Sequence, residues 1–335
     1  MRKVLIVLLA MAVVAGMAFG SGQQQGGEKQ ITIKLGHIRD TNHPTHKGAL
    51  KFAELVNERT DGRITVNVYP NSQLGGIQEM FAQVQTGDLE MVYGGINTYG
   101  FIDGGDAFEI TAIPFLYRDY EHMLAALKAD FFKPVFADAE KKTGIKVMNI
   151  GGDTAPRGLT ANRPIREPGD FKGLKIRTAA SEVVIRAMKK LGALPQQVPF
   201  SDLYVALKTG VVDAQENGAI VVANNSLYEV QDYYMKTDYI RDIETFYINP
   251  KFWDSLSAAD QKIFTDASTE AGVLVTQLTG EQLKQAYDKL EKEMTVVRPP
   301  ELDLAAIRKA VEGAYEDWDG VKWPKGLLSK IRNMQ

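Results

Sequence analysis

Three of the four histidines in this chain, His37, His43 and His46, stand within ten positions of one another, with Asp40 between them. Imidazole and carboxylate groups at that spacing could make a partial zinc site. A helix start at Asn42 and Pro44 gives the same side chains ordinary work as caps, and no metal is expected. Catalytic signatures are equally thin. The G-x-S-x-G elbow, G-x-G-x-x-G after a strand, the Walker A pattern and H-E-x-x-H are all absent. The chain contains no cysteine, which removes thiol nucleophiles, thiolate zinc sites, iron–sulfur clusters and disulfides together. No two of its many acids form a close pair that spacing marks as acid/base machinery. Neither an enzyme nor a resident cofactor is expected.

The central region is richer. Pro156 to Ile165 contains Arg157, and Asp170 to Arg177 follows shortly after. Leu174 and Ile176 give one apolar face of a strand that Arg177 ends, and Ser181 caps a helix predicted over 182–191. An arginine at the carboxyl end of a strand, beside a helix N-terminus, is placed to receive an anion. Its planar fork can hold a carboxylate by two parallel hydrogen bonds, which lysine cannot copy. A structural arginine paired with an acid is the alternative at this point.

The elements that must position these groups are legible from periodicity. Ile31 to His37 alternates apolar and polar residues as a strand does, a helix follows from Pro44 until Gly62 stops it, and Arg63 to Tyr69 alternates again. Strand, helix and strand at this spacing make a βαβ unit and imply a mainly parallel sheet. Met80–Met91 and Leu203–Ala214 share one layout: an amphipathic helix closed by Thr-Gly, then an apolar strand start carrying Glu90 or Asp213. One copy in each half suggests two lobes of similar build. Ligands in such sheets sit beyond the carboxyl ends of strands, here Tyr93 to Gly95 and Gln215 to Asn217. Ser257 to Met294 is the longest helical pattern, expected to bridge both lobes or to kink near Gly272 or Gly280. Val296–Val297 then reads as a short strand and 303–317 as a last amphipathic helix.

Composition bounds the rest. The 335 residues suffice for two domains, 44% are hydrophobic, and a net charge of −3 offers no electrostatic grip on nucleic acid. Arg2 and Lys3, the apolar run Val4–Val14, and Ala18 and Gly20 before Ser21 describe a cleavable signal peptide over 1–20, with a flexible leader over 21–30. Without a cysteine no lipobox exists, so a periplasmic protein is expected.

Several long runs resemble one family in the right order: Thr60–Gly75, Ile113–Leu116, Pro168–Arg177, Leu191–Ala193, Phe200–Asn217 and Tyr228–Gln231. They resemble the solute-binding proteins of tripartite ATP-independent periplasmic (TRAP) transporters, of the dicarboxylate-binding DctP type. The resemblance implies an α/β, two-lobed periplasmic binding protein-like fold, each lobe a mainly parallel sheet flanked by helices, bridged by a long helix. Lobe I is expected over 31–154 and 243–282, lobe II over 155–242 and 283–335. It further implies Arg177 as the arginine on a ligand carboxylate, Asn217 as its support, Arg157 as a second arginine and Phe200 as an aromatic wall. Sialic-acid members carry a Glu near Gly95 and an Asn near Ala180, and both are missing here, which argues against sialic acid. Gly94 and Gly95 instead open space beside Asn97.

Asn97 and Tyr239, with Tyr99, Asp153, Asn224 and Asn225, suit a hydroxyl-rich partner, so a sugar acid such as a uronate or aldonate is favoured over a C4-dicarboxylate. The implied partners are a small organic anion and the TRAP membrane subunits, with the chain a monomer. A periplasmic enzyme or a sensor module acting on such an acid are the competing classes.

Overall fold

The computed structural model describes residues 30–334. The signal peptide and, Gln30 apart, the leader lie outside the described residues. The strands are β1 (Ile31–Gly36), β2 (Ile64–Tyr69), β3 (Met91–Gly95), β4 (Lys146–Asp153), β5 (Arg157–Ala161), β6 (Lys175–Thr178), β7 (Leu194–Gln197), β8 (Ala214–Gly218), β9 (Tyr233–Ile240), β10 (Ile243–Ile248) and β11 (Thr295–Val297). They form two sheets, in the orders β2-β1-β3-β10-β4 and β11-β9-β5-β8-β6-β7.

Within each sheet one strand runs against the others. β10 is antiparallel to both its neighbours in the first sheet, and β5 to both of its own in the second. The remaining pairs are parallel. These two strands are also the ones the chain enters directly from the other sheet: β4 leads into β5 through Thr154–Pro156, and β9 into β10 through Arg241 and Asp242. A helical crossover returns the chain to the same end of its sheet and so makes parallel pairs. A strand arriving straight from the neighbouring sheet meets its new partners head-on. Mainly parallel sheets are thus present, each with one antiparallel intruder that periodicity could not have revealed.

The two Thr-Gly turns behave as read. Gly87 and Gly210 sit at φ +88° and +70°, and the strands that follow, β3 and β8, end where the two sheets face each other. The long helix, Ala258–Glu293, is capped by Ser257, whose Oγ accepts from the Asp260 N–H at 3.1 Å. Its 36 residues span about 54 Å without interruption. Phe264, Ala267, Ala271 and Val275 pack into the core beneath the first sheet, with Phe52, Tyr93 and Phe246. Ala286, Leu290 and Met294 pack into a core under the second, with Leu203, Ile220 and Tyr234. The helix bridges rather than kinks. Gly272 serves contact instead: a Cβ there would stand 2.7 Å from the Gly151 carbonyl oxygen on β4, whereas Gly280 has open space around it.

The last predicted helix is shorter than its pattern. It runs over Leu304–Val311 and ends before Gly313, which adopts φ +67°. A further short helix, Leu327–Arg332, lies beyond any expectation. It brings the chain end back to the helix Tyr120–Lys128, where His122 Nε2 meets the Ile331 carbonyl at 3.3 Å and Arg118 donates to that of Met334 at 2.8 Å.

Candidate functional site

Between the facing strand ends of the two sheets lies a cavity of about 530 Å³. Five of the six residues singled out as ligand-binding line it: Arg157, Arg177, Phe200 and Asn217 from the second sheet and its loops, and Asn97 from the turn after β3. Tyr239 does not. It stands behind the wall with its hydroxyl donated to Glu216 Oε2 at 3.0 Å. Tyr239 is buried, on the same side of β9 as the buried Met235 and Thr237.

Arg177 is 3% exposed, and its hydrogen bond to the protein runs from Nε to the Val198 carbonyl at 2.8 Å. No ion pair among the described residues involves it. The two Nη groups bond to nothing in the protein, yet they are not sealed from the cavity. Burial pushes the guanidinium down to about 10, with Arg157 adding to the shift and Glu216 opposing it. A buried charge without an ion-pair partner is costly. Asn217, two residues after Gln215 on the same face of β8, donates Nδ2 to Gln215 Oε1 at 2.7 Å. That bond turns its side-chain carbonyl toward the open space.

Arg157 is otherwise engaged. Its Nε and Nη2 reach the two carboxylate oxygens of Glu216 at 2.6 and 2.8 Å, and Nη2 also meets the Glu216 carbonyl at 2.8 Å. Burial works against its charge, but Glu216 more than offsets this and holds the pKa above its ordinary value. Register explains the pairing, since Gly158 lies opposite Asn217 and Leu159 opposite Glu216 in the β5–β8 ladder.

The helix N-terminus beside Arg177 is already filled. Ser181 caps the helix Glu182–Lys190 as predicted, but Glu109 Oε1 takes the Glu182 N–H at 3.1 Å, and Oε2 takes the Val183 N–H at 3.1 Å and the Ser181 hydroxyl at 2.8 Å. Burial raises Glu109 to about 7 against these bonds. The helix start expected to share in an anion site holds the protein's own carboxylate instead.

Two lining groups, Arg39 and Asp242, carry no signal in the sequence, while Glu216 lies in the strand end Gln215 to Asn217 with no role expected of it. Arg39 Nε lies 3.6 Å from Glu244 Oε1. Asp242 sits on the β9–β10 crossing, where Oδ1 accepts from the N–H groups of Asn97 at 3.0 Å and Ile243 at 2.9 Å. Burial first, then Glu244, push it up to about 7, while the Asn97 N–H, Arg157 and Arg39 pull the other way. Its position depends on Gly95, where a Cβ would fall 1.9 Å from Asp242 Oδ2. The only available hint was the glycine pair 94–95, which left a space without saying what fills it.

The other polar candidates scatter. Tyr99 is buried away from the cavity, with its hydroxyl against Thr143 Oγ1 at 2.7 Å and the Ile145 carbonyl. Asp153 faces Arg241 at 3.9 Å, and Asn225 bonds its own helix at Val221. Asn224 reaches Asp40 at 3.2 Å across the two halves. The histidines form no metal site: among the described residues no group of three or more ligating side chains could hold one. His43 caps the helix Pro44–Arg59, and His37 Nε2 meets His46 Nδ1 at 3.0 Å. Burial, then the neighbouring His46 and Arg39, drive His37 down to about 3.

Comparison with known proteins agrees with this geometry. The profile described as "Bacterial extracellular solute-binding protein, family 7" (DctP) matches residues 35–320. A 2,3-diketo-L-gulonate-binding periplasmic protein of Escherichia coli is 30% identical, covering 96% of this chain and 97% of its own. A C4-dicarboxylate-binding periplasmic protein of Rhodobacter capsulatus is 32% identical over 78% of each. The crystal structure of a TRAP periplasmic solute-binding protein from Polaromonas sp. JS666, bound to D-erythronate, superposes with a TM-score of 0.84 at 28% identity, covering 91% of this chain and 99% of that one.

Proposed function

The chain belongs to the bacterial extracellular solute-binding protein family 7, and from that premise we propose that it captures a hydroxylated carboxylic acid, a uronate or aldonate, and hands it to TRAP membrane subunits. Solute binding for transport, not catalysis, is the work of this family. The observation that carries the ligand reading is Arg177, a buried guanidinium open to the cavity and without a carboxylate of its own. Asn217 supports the bound carboxylate and Phe200 forms a wall of the cavity. The relatives that bind diketogulonate and erythronate support a sugar acid. The relative that binds C4-dicarboxylates supports the second reading, for which Arg157 would have to loosen its three bonds to Glu216.

Lobe I is taken as 31–154 and 243–282, and lobe II as 155–242 and 283–335, closing about the ligand as a monomer. Two short crossings between the sheets and one continuous helix support such a hinge. No helix among the described residues is long and apolar enough to cross a membrane. With the signal peptide read from the sequence, this supports a periplasmic protein.

The test is a thermal-shift screen of glucuronate, galacturonate, gluconate, succinate and malate, followed by calorimetry. Ligand raises apparent stability by RT ln(1 + [L]/Kd). Truncating one partner of a buried charge pair costs about 2–5 kcal/mol, so Arg177→Ala should weaken binding at least about thirtyfold. Near-normal affinity in that variant would remove the assignment.

A further inference from the structure

The cavity lining carries three guanidinium groups, Arg39, Arg157 and Arg177, and four carboxylates, the exposed Glu79 and Asp202 and the buried Glu216 and Asp242. Arg157 is held by Glu216 and Arg39 faces Glu244. Among the buried lining groups, those left without an ion pair are Arg177 on the second-sheet wall and Asp242 at the crossing that leads into the first sheet. The Asp242 carboxylate is fixed in orientation, because Oδ1 takes two backbone N–H groups. Oδ2 makes no hydrogen bond to the protein and is not sealed from the cavity. The absence of a side chain at Gly95 leaves room for it.

Resting on the reading that an organic acid binds Arg177, we infer that Asp242 is the specificity-determining residue of the cavity. Its Oδ2 accepts a hydrogen bond from a ligand hydroxyl and its charge repels a second carboxylate. The site therefore takes hydroxylated monocarboxylates and turns dicarboxylates away. With Arg39 and Arg157 already paired, a second carboxylate would meet no unmatched cation among the described lining residues. A cap for Asn97 and Ile243 needs only one oxygen, which an asparagine supplies equally well, so the second oxygen is what the acid adds.

That point makes Asp242→Asn the decisive variant. Its carbonyl keeps both N–H bonds, and its amide nitrogen then replaces Oδ2, turning an acceptor into a donor. The experiment is calorimetry at pH 8 of the wild type and the variant, with gluconate, glucuronate, erythronate and succinate. The wild type should prefer one of the hydroxy acids to succinate. The variant should lose about tenfold for that acid and gain about tenfold for succinate, the scale set by leaving a buried polar group mispaired. Gly95→Ala, which displaces the carboxylate without removing it, should narrow the preference in the same direction. A hydroxy-acid to succinate ratio that stays within about threefold of wild type in both variants, or a wild type that prefers succinate, would overturn the inference. If the wild type binds no carboxylate at all, the underlying reading of the cavity fails and takes this one with it.

Discussion

Replacing Arg177 with Met should leave the ligand-free protein slightly more stable, whereas the same change at Arg157 should weaken it badly. The contrast follows from what each guanidinium touches. Burial depresses Arg177 from its ordinary value to about 10, so at every pH below about 10 its charged form costs folding free energy, on the order of 3 kcal/mol at 1.36 kcal/mol per unit. Methionine retains most of the stem's packing and removes that cost. The Val198 carbonyl loses its Nε partner, which takes back about 1–3 kcal/mol, leaving a net gain of roughly 1 kcal/mol. At Arg157 the sign reverses. Glu216, with a side chain 2% exposed, loses three hydrogen bonds and keeps only the Tyr239 hydroxyl. Removing one partner of a buried pair costs about 3–5 kcal/mol. Urea denaturation of both variants, refolded to strip endogenous ligand, reads the difference directly. The reasoning is refuted if Arg177→Met loses as much stability as Arg157→Met, for Arg177 would then have a structural partner.

Three other outcomes are expected. Asp242 is raised from 3.8 to about 7, so the fold holds its proton more tightly than the unfolded chain, and this contribution is full below about pH 4 and lost as pH rises through 7. Glu244, Arg157 and Arg39 face it in both variant and wild type; Asp242→Asn should therefore be more stable than wild type by up to about 4 kcal/mol at pH 8 and equal to it near pH 4. Equal stability at both pH values would contradict the shift. Gly272→Ala should cost about 1–3 kcal/mol by driving a methyl into the Gly151 carbonyl, while Gly280→Ala, in open space, should gain up to about 1 kcal/mol of helix propensity; a similar effect at both sites in urea melts would count against the close crossing. Small-angle scattering should show a smaller radius of gyration at saturating ligand, and an unchanged radius would argue against lobe closure.

Much of this architecture could be read in advance because it rests on local rules. Alternation marked β1 and β2, Thr-Gly marked the two helix ends before β3 and β8, and Ser257 marked the start of the bridging helix. The place of Arg177 at the cavity was legible because the apolar pair Leu174 and Ile176 marked the strand that carries it. The features that escaped are set by partners remote in sequence. Whether β5 and β10 run antiparallel depends on which sheet the chain enters, and Gly272 looked like a kink because its neighbour on β4 is more than a hundred positions away. Glu109 and Asp242 escaped for the same reason, one sealing a helix end over seventy residues on, the other filling the space beside Gly95. Tyr239 illustrates the converse error: its residue type suited a ligand, but the side chain points into the wall.

The central claim, that Arg177 receives the ligand's carboxylate, is tested most directly by a crystal structure of the protein with the tightest-binding acid from the panel. The account predicts both carboxylate oxygens at about 2.7–2.9 Å from the two Nη groups of Arg177, with the Arg157–Glu216 pair still closed. A ligand whose carboxylate lies on Arg39 or Arg157, with Arg177 still bonded only to the Val198 carbonyl, would contradict it.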